Sequence, residues 1–184
     1  MCSECFHHTT FDPASLKVTI ASNSLICYLV GKKMLRKAES KDISRIAEIL
    51  IFTKRTTYRP IFQNDHVSFN EMQVLPEIER LQKAGELDNL FVFDDGIVKA
   101  MIKVEDEGSW LKISEFFVDP FFQGEGIGKS MVNTILEQQK PLYLYVLDKN
   151  VKAIGFYEKM GFKYSGEKEE FLDSGFFMLK YVRI

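Results

Sequence analysis

The chain has 184 residues, a length that favours a single domain with one sizeable hydrophobic core. Its composition, 46% hydrophobic and 27% charged, is that of an ordinary soluble protein. The formal net charge of -2 gives no broad electrostatic attraction for nucleic acid or for an anionic membrane. We therefore expect neither of these as a partner.

Three cysteines, Cys2, Cys5 and Cys27, lie near the N-terminus. An odd and clustered set is a poor disulfide framework, so the sequence favours a reducing, cytoplasmic location. His7 and His8 follow Cys5 closely, and such a combination can bind zinc. No second Cys/His pair follows at the spacing of a zinc finger, so we predict no metal site.

Residues 1–33 show no sustained hydrophobic periodicity, and we interpret them as an N-terminal extension. The extension is either a segment added by an upstream start or a strand that packs on the domain, which is predicted over residues 34–184. Its apolar run at 24–30 has about a third of the length needed to span a bilayer. The run also lacks the flanking features of a signal peptide, so neither a signal peptide nor a membrane span is predicted.

The first half of the domain is predicted to be mainly helical. A short strand at 34–38 precedes a helix that begins near Asp42, where apolar residues start to recur at helical spacing. Residues 58–62 break this pattern and predict a loop. A second helix is expected from about residue 68 or 70 to residue 83, and Pro76 inside that span predicts a split or a kink.

The second half of the domain alternates strands and helices. The predicted elements are, in order, strands at 90–93, 97–104 and 110–118, a helix at 127–136, a strand at 141–146, a helix at 150–159, and strands at 162–166 and 176–182. The turn Asp94-Asp95-Gly96 joins the first two strands as a hairpin. This order predicts an α+β (mixed α/β) fold, with a mixed sheet covered by helices on both faces.

The segment Gln123-Gly124-Glu125-Gly126-Ile127-Gly128 follows a strand and opens an amphipathic helix. Glycines without a Cβ let backbone N–H groups crowd around an anion, and the helix N-terminus adds unpaired donors, so a phosphate site is indicated. A Walker loop would need a glycine where Gln123 stands, and a dinucleotide-binding loop has a different glycine spacing. A tight structural turn remains an alternative for the loop taken alone.

Two motifs in the sequence resemble those of the GNAT acetyltransferase superfamily. The first is the glycine segment, in which Gln123, Gly126 and Gly128 match the family pattern Gln/Arg-x-x-Gly-x-Gly/Ala. The second is residues 150–162, an asparagine-led helix that ends in Phe-Tyr-x-x-x-Gly-Phe. The resemblance spans about residues 34–183. It implies a mostly antiparallel, twisted sheet that is splayed between its fourth and fifth strands.

The resemblance also implies an N-acetyltransferase that uses acetyl-CoA as its donor. In such enzymes the strand before the glycine loop pairs with the pantetheine arm, and the loop amides hold the pyrophosphate. The residues that match these positions are Phe116, Phe117 and Val118 for the strand, Gln123, Gly124, Glu125, Gly126, Ile127, Gly128 and Lys129 for the loop, and Asn150 and Tyr157 on the second motif. Asn150 is equally explained as a helix N-cap.

The resemblance makes Tyr157 the candidate general acid that protonates the departing thiolate, because a phenol keeps its proton at neutral pH. Simple packing of the helix on the sheet is the alternative. Glu115 is a candidate base or amine-binding group in the strand before the loop, although a solvated strand glutamate would look the same. Period-two alternation predicts that Glu115 shares a face with Ile113 and Phe117.

The acceptor is not defined by the sequence. Family enzymes take substrate-binding residues from the segment after the first helix, where Tyr58, Arg59, Asp65 and His66 are candidates. The favoured function is transfer of an acetyl group to a primary amine of a small molecule by direct attack in a ternary complex. A protein or peptide acceptor, and a non-catalytic acyl-CoA sensor, are the alternatives. The resemblance also implies a possible homodimer.

Overall fold

The computed structural model describes residues 34–171 and 175–184. The elements are β1 (Leu35–Lys37), α1 (Ile43–Phe62), α2 (Val74–Leu81), β2 (Leu90–Asp94), β3 (Val98–Asp106), β4 (Leu111–Val118), α3 (Ile127–Leu136), β5 (Leu142–Leu147), α4 (Val151–Lys159), β6 (Lys163–Phe171) and β7 (Phe176–Arg183). A short 3₁₀ turn, Ser40–Asp42, leads into α1, and a second, Pro120–Phe122, follows β4. The mixed α/β fold predicted from the sequence is confirmed.

The strands form one sheet in the order β1-β2-β3-β4-β5-β7-β6. Neighbouring strands are antiparallel except for β4 and β5, which are parallel. The β4–β5 ladder joins residues 111–113 to residues 142–144 and then stops. The two strands diverge beyond that point, so the splay predicted between the fourth and fifth strands is confirmed.

Helices cover both faces of the sheet and enclose two hydrophobic clusters. On one face, α3 and α4 bury residues such as Met131, Val132 and Phe162 against the strands. On the other face, α1 and α2 bury residues such as Leu50 and Leu81. Because both faces are covered, the diverging ends of β4 and β5 form an opening inside the protein layers instead of a gap at a free edge.

The loop predicted at residues 58–62 is wrong, because α1 continues through this segment to Phe62. Pro60 removes the bond that an N–H at this position would donate to the Thr56 carbonyl, but the helix continues for only two residues beyond it. The helix ends at Gln63, which is left-handed and donates its N–H to the Arg59 carbonyl at 2.9 Å. Packing of Phe62 against β6 and β7 offsets the cost of the proline.

The second predicted helix is split, as Pro76 suggested, but the break precedes the proline. A π-helical turn, Val67–Glu71, is followed by α2, in whose first turn Pro76 needs no hydrogen-bond partner. Arg55 of α1 donates to the carbonyls of Ser68 at 2.9 Å and Met72 at 2.6 Å. These bonds hold the irregular turn against α1.

A β-bulge in β4 corrects the predicted alternation around Glu115. Lys103 of β3 lies opposite Glu115, whereas its neighbour Val104 lies opposite Ile113, so Ser114 is the extra residue. Ile113 therefore faces the α3–α4 side, while Phe117 packs on the α1–α2 side. The prediction that Ile113 and Phe117 share a face is wrong, because the bulge shifts the period-two pattern by one residue.

Several local predictions are confirmed. Asn150 caps α4 by accepting the Ala153 N–H at 3.2 Å, and Gly161 ends that helix with φ of 84°. The last two strands pair as a hairpin, but β6 runs on to Phe171, well past the predicted end at 166. Its charged side chains hid this extension, since an exposed edge strand needs no apolar face.

Some sequence predictions fall outside the described residues. The extension 1–33 is among them, and so are the cysteine and histidine residues weighed as a zinc site. Within residues 34–171 and 175–184, no cluster of three or more His, Cys, Asp or Glu side chains is arranged to hold a metal ion. None of the helices in the same ranges is long and apolar enough to cross a membrane.

Candidate active site

A cavity of about 980 Å³ occupies the opening between β4 and β5. Its floor comes from β4 residues 113–118 and β5 residues 144–147. The loop end of the cavity comprises residues 123, 124 and 126–129 of the glycine loop together with Lys149, Asn150 and Lys152. The α1 end comprises Thr53, Thr56, Thr57, Tyr58 and Ile61 together with Glu115.

One edge of β4 is open along this cavity. The segment from Ser114 to Val118 pairs with β3 on one side, and on its β5 side it has no strand partner among the described residues. Backbone N–H and C=O groups that face the cavity therefore need partners. An extended ligand with amide groups can satisfy them by adding to the sheet as a strand, as the resemblance implied for Phe116, Phe117 and Val118.

The loop end offers a cradle for an anion. Gly124 and Gly126 have φ of 91° and 83°, and a Cβ built on either would meet nothing within 4 Å. Their glycine identity is therefore explained by the left-handed backbone and by the open space in front of it. Helix α3 starts at Ile127, so its unpaired N–H groups point into the same space.

Gly128 serves a different purpose from the other two glycines. A Cβ at this position would lie 3.4 Å from the Phe116 ring of β4 and 3.4 Å from the Phe156 ring of α4. The missing side chain lets the first turn of α3 approach both rings closely. The start of the helix is thereby placed against the open edge of β4.

Gln123 and Lys152 join the two sides of the loop end. The Gln123 Nε2 donates to the Val118 carbonyl at 2.9 Å, and its Oε1 accepts from the Lys152 Nζ at 2.5 Å. Lys129 and Lys149 line the same end, which gives it a positive field suited to phosphates. Glu125 is exposed and does not line the cavity; its carboxylate lies 4.0 Å from the Lys99 Nζ.

Tyr157 lines the middle of the cavity from α4. Its ring makes edge contacts with Phe156 and Phe162, at centroid distances of 5.3 and 5.7 Å, and its side chain is 8% exposed. Burial raises the pKa of Tyr157, and the nearby Tyr58 phenol raises it further. Within residues 34–171 and 175–184 no hydrogen bond engages its hydroxyl, which is therefore free to donate to a ligand.

Asn150 lines the loop end and also caps α4. Its Oδ1 accepts the Ala153 N–H, so the oxygen is already committed to the helix. The amide nitrogen carries its remaining donors. The two roles weighed for this residue are therefore compatible.

Glu115 reaches the cavity wall and forms an ion pair with Arg80 of α2. The shortest contact, from Arg80 Nη2 to Glu115 Oε1, is 3.2 Å, and the Glu115 side chain is 23% exposed. Among the described residues that line the cavity, Glu115 is the single carboxylate. It is placed to receive a cationic group.

The predicted substrate-binding residues separate into two sets. Tyr58 lines the cavity at its α1 end, and burial raises the pKa of its phenol. Arg59 points away from the cavity and pairs with Asp65 at 2.8 Å. His66 is exposed and lies 3.3 Å from Glu71, outside the lining.

The threonines at the α1 end are not among the site residues predicted from the sequence. Thr53, Thr57 and Ile61 are spaced at intervals of four residues, so they share one helix face with Tyr58 nearby. The Thr56 Oγ1 donates to the Phe52 carbonyl at 2.9 Å, and the Thr53 Oγ1 lies 3.5 Å from the Val118 carbonyl. The assumed loop at 58–62 hid this periodicity, which would otherwise have been a usable signal.

An aromatic bridge of Phe62, Phe171 and Phe176 crosses the outer side of the α1 end. The Phe62 ring lies 5.1 Å from Phe176 in an edge contact and 6.1 Å from Phe171 in a stacked one. Ile61, which precedes Phe62 in α1, and Met178, two residues after Phe176 in β7, line the cavity. The bridge therefore joins α1 to the β6–β7 hairpin close in sequence to residues that line the cavity.

Comparison with known proteins finds a family model that matches part of this chain and solved structures with a similar fold. The family model described as an acetyltransferase (GNAT) domain matches residues 86–164, from before β2 to the start of β6. The PaiA N-acetyltransferase of Thermoplasma acidophilum, solved in complex with coenzyme A, aligns with 79% of this chain and 96% of its own at a TM-score of 0.56 and 21% identity. Residues 86–164 thus match the GNAT acetyltransferase family model, and the fold of the chain is similar to that of a GNAT-type N-acetyltransferase.

Two curated relatives differ in the acceptors that they are named for. The probable spermine N(1)-acetyltransferase of Bacillus subtilis subsp. natto is 26% identical over 119 residues, 60% of this chain and 62% of its own length. The peptidyl-lysine N-acetyltransferase YjaB of Salmonella typhimurium is 45% identical over 53 residues, 29% of this chain and 37% of its own. The chain thus spans less than two thirds of the length of these curated relatives.

Proposed function

We propose that this protein is a GNAT-type N-acetyltransferase that transfers an acetyl group from acetyl-CoA to a primary amine of a small molecule. The observation that carries the proposal is the open edge of β4, which runs from Glu115 to the glycine loop along one cavity. A donor bound along that edge has its phosphates at the loop end and its thioester near Tyr157. Glu115 then lies on the acceptor side.

The fit of acetyl-CoA rests on three features of the loop end. Gly124 and Gly126 leave open space before the N-terminus of α3, where backbone donors suit a pyrophosphate. Lys129, Lys149 and Lys152 add positive charge beside it. The unpaired backbone of residues 114–118 offers partners to the amides of the pantetheine arm.

The residues around the cavity supply the proton transfers of the reaction. Bound acetyl-CoA supplies a thioester carbonyl, at which a carbon–nitrogen bond forms as the carbon–sulfur bond breaks. Tyr157 donates its phenolic proton to the departing sulfur, and its raised pKa keeps that proton in place at neutral pH. Glu115 pairs with the ammonium form of the acceptor and accepts the proton that the nitrogen loses.

The α1 end favours an acceptor rich in hydrogen-bond donors. The hydroxyl proton of Thr56, and at longer range that of Thr53, is directed to a backbone carbonyl, which leaves oxygen lone pairs for a ligand. Glu115 adds a negative charge to the same end. An amine, which donates protons and carries positive charge, complements such a surface.

The aromatic bridge favours a small amine over a peptide. A peptidyl-lysine acceptor needs an open groove for the chain on both sides of the lysine. Phe62, Phe171 and Phe176 instead join α1 to the β6–β7 hairpin beside the α1 end. The relative named for spermine is in line with a small acceptor, whereas the relative named for peptidyl-lysine represents the alternative.

The test is acetyl-CoA-dependent thiol release on a panel of polyamines, amino acids, aminoglycosides and lysine peptides, with calorimetry of acetyl-CoA binding alongside. We expect saturable binding and turnover of at least one small amine. Faster turnover of a lysine peptide than of any small amine would support the peptide acceptor instead. Binding without turnover across the panel would indicate the acyl-CoA sensor, and no binding at high acetyl-CoA would reject the function. The homodimer and the cytoplasmic location stay predictions.

A further inference from the structure

Arg80 of α2 lies at the centre of a cluster of carboxylates next to the cavity. It contacts Glu77 at 2.6 Å, Glu86 at 2.8 Å and Glu115 at 3.2 Å. Lys103 of β3 contacts Glu86 at 3.3 Å. We call these five residues the Arg80 cluster. Each of their side chains is less than a third exposed, so solvent screens their charges only in part.

Arg80 contacts the three carboxylates of the cluster at unequal distances. Two Arg80 nitrogens donate to Glu77 Oε1 at 2.9 and 2.6 Å, and a third donates to Glu86 at 2.8 Å. Glu115 receives the longest of these contacts, at 3.2 and 3.5 Å to its two oxygens. Three carboxylates surround two cations, so one negative charge is in excess. Glu115 is the cluster member that lines the cavity, so the excess faces that space.

The bulge at Ser114 puts Glu115 on the opposite face of β4 from Ile113. Without the extra residue, a regular β4 would place Ile113, Glu115 and Phe117 on one face together. With it, Glu115 lies opposite Lys103 on the α1–α2 side, next to Arg80, and still reaches the cavity where β4 leaves β5. The backbone therefore sets the direction of the side chain, and Arg80 sets the position of the carboxylate.

We propose that Arg80 is a positioning residue that holds the Glu115 carboxylate at the cavity wall, where it receives the ammonium of the acceptor. This inference rests on the proposed function. Arg80 does not line the cavity, so it acts through Glu115 and not by touching the substrate. The long contact to Glu115 leaves that carboxylate with unused lone pairs, which a second cation can share.

The experiment is a double-mutant cycle of Arg80→Gln and Glu115→Gln, read as the KM for the best amine of the panel. Loss of the arginine frees the carboxylate to turn away, so we expect the acceptor KM to rise about tenfold, with the KM for acetyl-CoA changed less than about twofold. In the Glu115→Gln background, Arg80→Gln is expected to add less than about a twofold effect. Equal effects of Arg80→Gln in both backgrounds would overturn the proposal.

Arg36 offers a matched control for the loss of a paired arginine. It contacts Asp42 and Asp94, each at 2.7 Å, and is 27% exposed, as against 31% for Arg80. It lies on β1, far along the sheet from the cavity. Arg36→Gln should lower the Tm and leave the acceptor KM unchanged. An equal rise in that KM would show that any loss of an arginine network has this effect, which would contradict the proposal.

Two further measurements keep the result interpretable. If Arg80→Gln does not fold, Arg80→Lys replaces it; one ammonium cannot hold three carboxylates, so the acceptor KM should still rise about threefold. Calorimetry of the acceptor with desulfo-CoA present gives the binding constant without turnover.

Failure of the proposed function would appear as wild-type protein that acetylates no amine. Failure of the Arg80 inference would appear as an active wild type and an Arg80 variant with an unchanged acceptor KM.

Discussion

The loop end and the α1 end of the cavity are built in different ways. The loop end is assembled from one stretch of chain, residues 123–129, and from the start of α4. The α1 end draws on α1, the bulged part of β4 and, behind it, α2. The loop end offers a ligand backbone groups that any sequence with glycine at the right positions provides. The α1 end offers side chains that distant elements bring together.

Tyr157 stands between the two ends, and its replacement should have the largest effect on turnover. Tyr157→Phe removes the proposed acid while the ring and its contacts with Phe156 and Phe162 stay. We expect kcat to fall on the order of 10²–10⁴-fold, with acetyl-CoA binding unchanged, because proton donation acts on the transition state.

The control for this change is Tyr164→Phe on β6. Tyr164 is 44% exposed and packs on Tyr181, outside the cavity lining. The single-turnover rate of the Tyr164→Phe variant should match that of wild type, so it should exceed that of the Tyr157→Phe variant by the whole expected factor, on the order of 10²–10⁴. A Tyr157→Phe enzyme that keeps its wild-type rate would remove Tyr157 from the chemistry and leave it a packing role.

The loop end is tested by Gly126→Val. A β-branched residue at φ of 83° strains the backbone by about 2 kcal/mol, which corresponds to about 30-fold in an equilibrium constant. The strain falls on the residue that precedes α3, so we expect acetyl-CoA affinity to drop by about that factor in calorimetry. The acceptor preference should stay the same, because the α1 end is not altered.

Gly108→Val is the matched control for backbone strain. Gly108 has φ of 80° in the β3–β4 turn, and a Cβ there also meets nothing within 4 Å. The two variants should lose similar stability in thermal unfolding, but only the Gly126 variant should lose acetyl-CoA affinity. If both lost affinity equally, the loop would be acting through global stability and not as a cradle.

The same contrast explains what the sequence could predict. The glycine loop and the cap at Asn150 are local patterns, and in each case the residues that define the structure are within a few positions of one another. The splay of β4 and β5 followed from the resemblance, and the structure confirms it. Local hydrogen bonds and backbone conformations specify these features, so a single stretch of sequence is enough to predict them.

The α1 end could not be predicted in the same way. Pro60 suggested a loop, but packing of Phe62 on β6 and β7 favours the helix, and those contacts join residues more than 100 positions apart. The bulge at Ser114 likewise depends on pairing with β3, and the contact of Glu115 with Arg80 joins residues 35 positions apart. Neither tertiary contact leaves a periodic signal in the sequence.

The aromatic bridge gives the smallest expected effect, and it tests the acceptor class. Phe62→Ala removes the ring that joins α1 to Phe171 and Phe176, and so widens the α1 end. Contacts to a small amine lie elsewhere, so its kcat/KM should fall less than about threefold, while kcat/KM for a lysine peptide should rise about three- to tenfold. The readout is the ratio of the two values.

Phe52→Ala is the control, because Phe52 lies on the same helix, packs on the exposed Phe121 and does not line the cavity. The opposite outcome would be a wild-type protein that already prefers the lysine peptide, with a ratio of the two kcat/KM values that Phe62→Ala leaves unchanged. It would show that the bridge does not select the acceptor and that α1 borders an open groove.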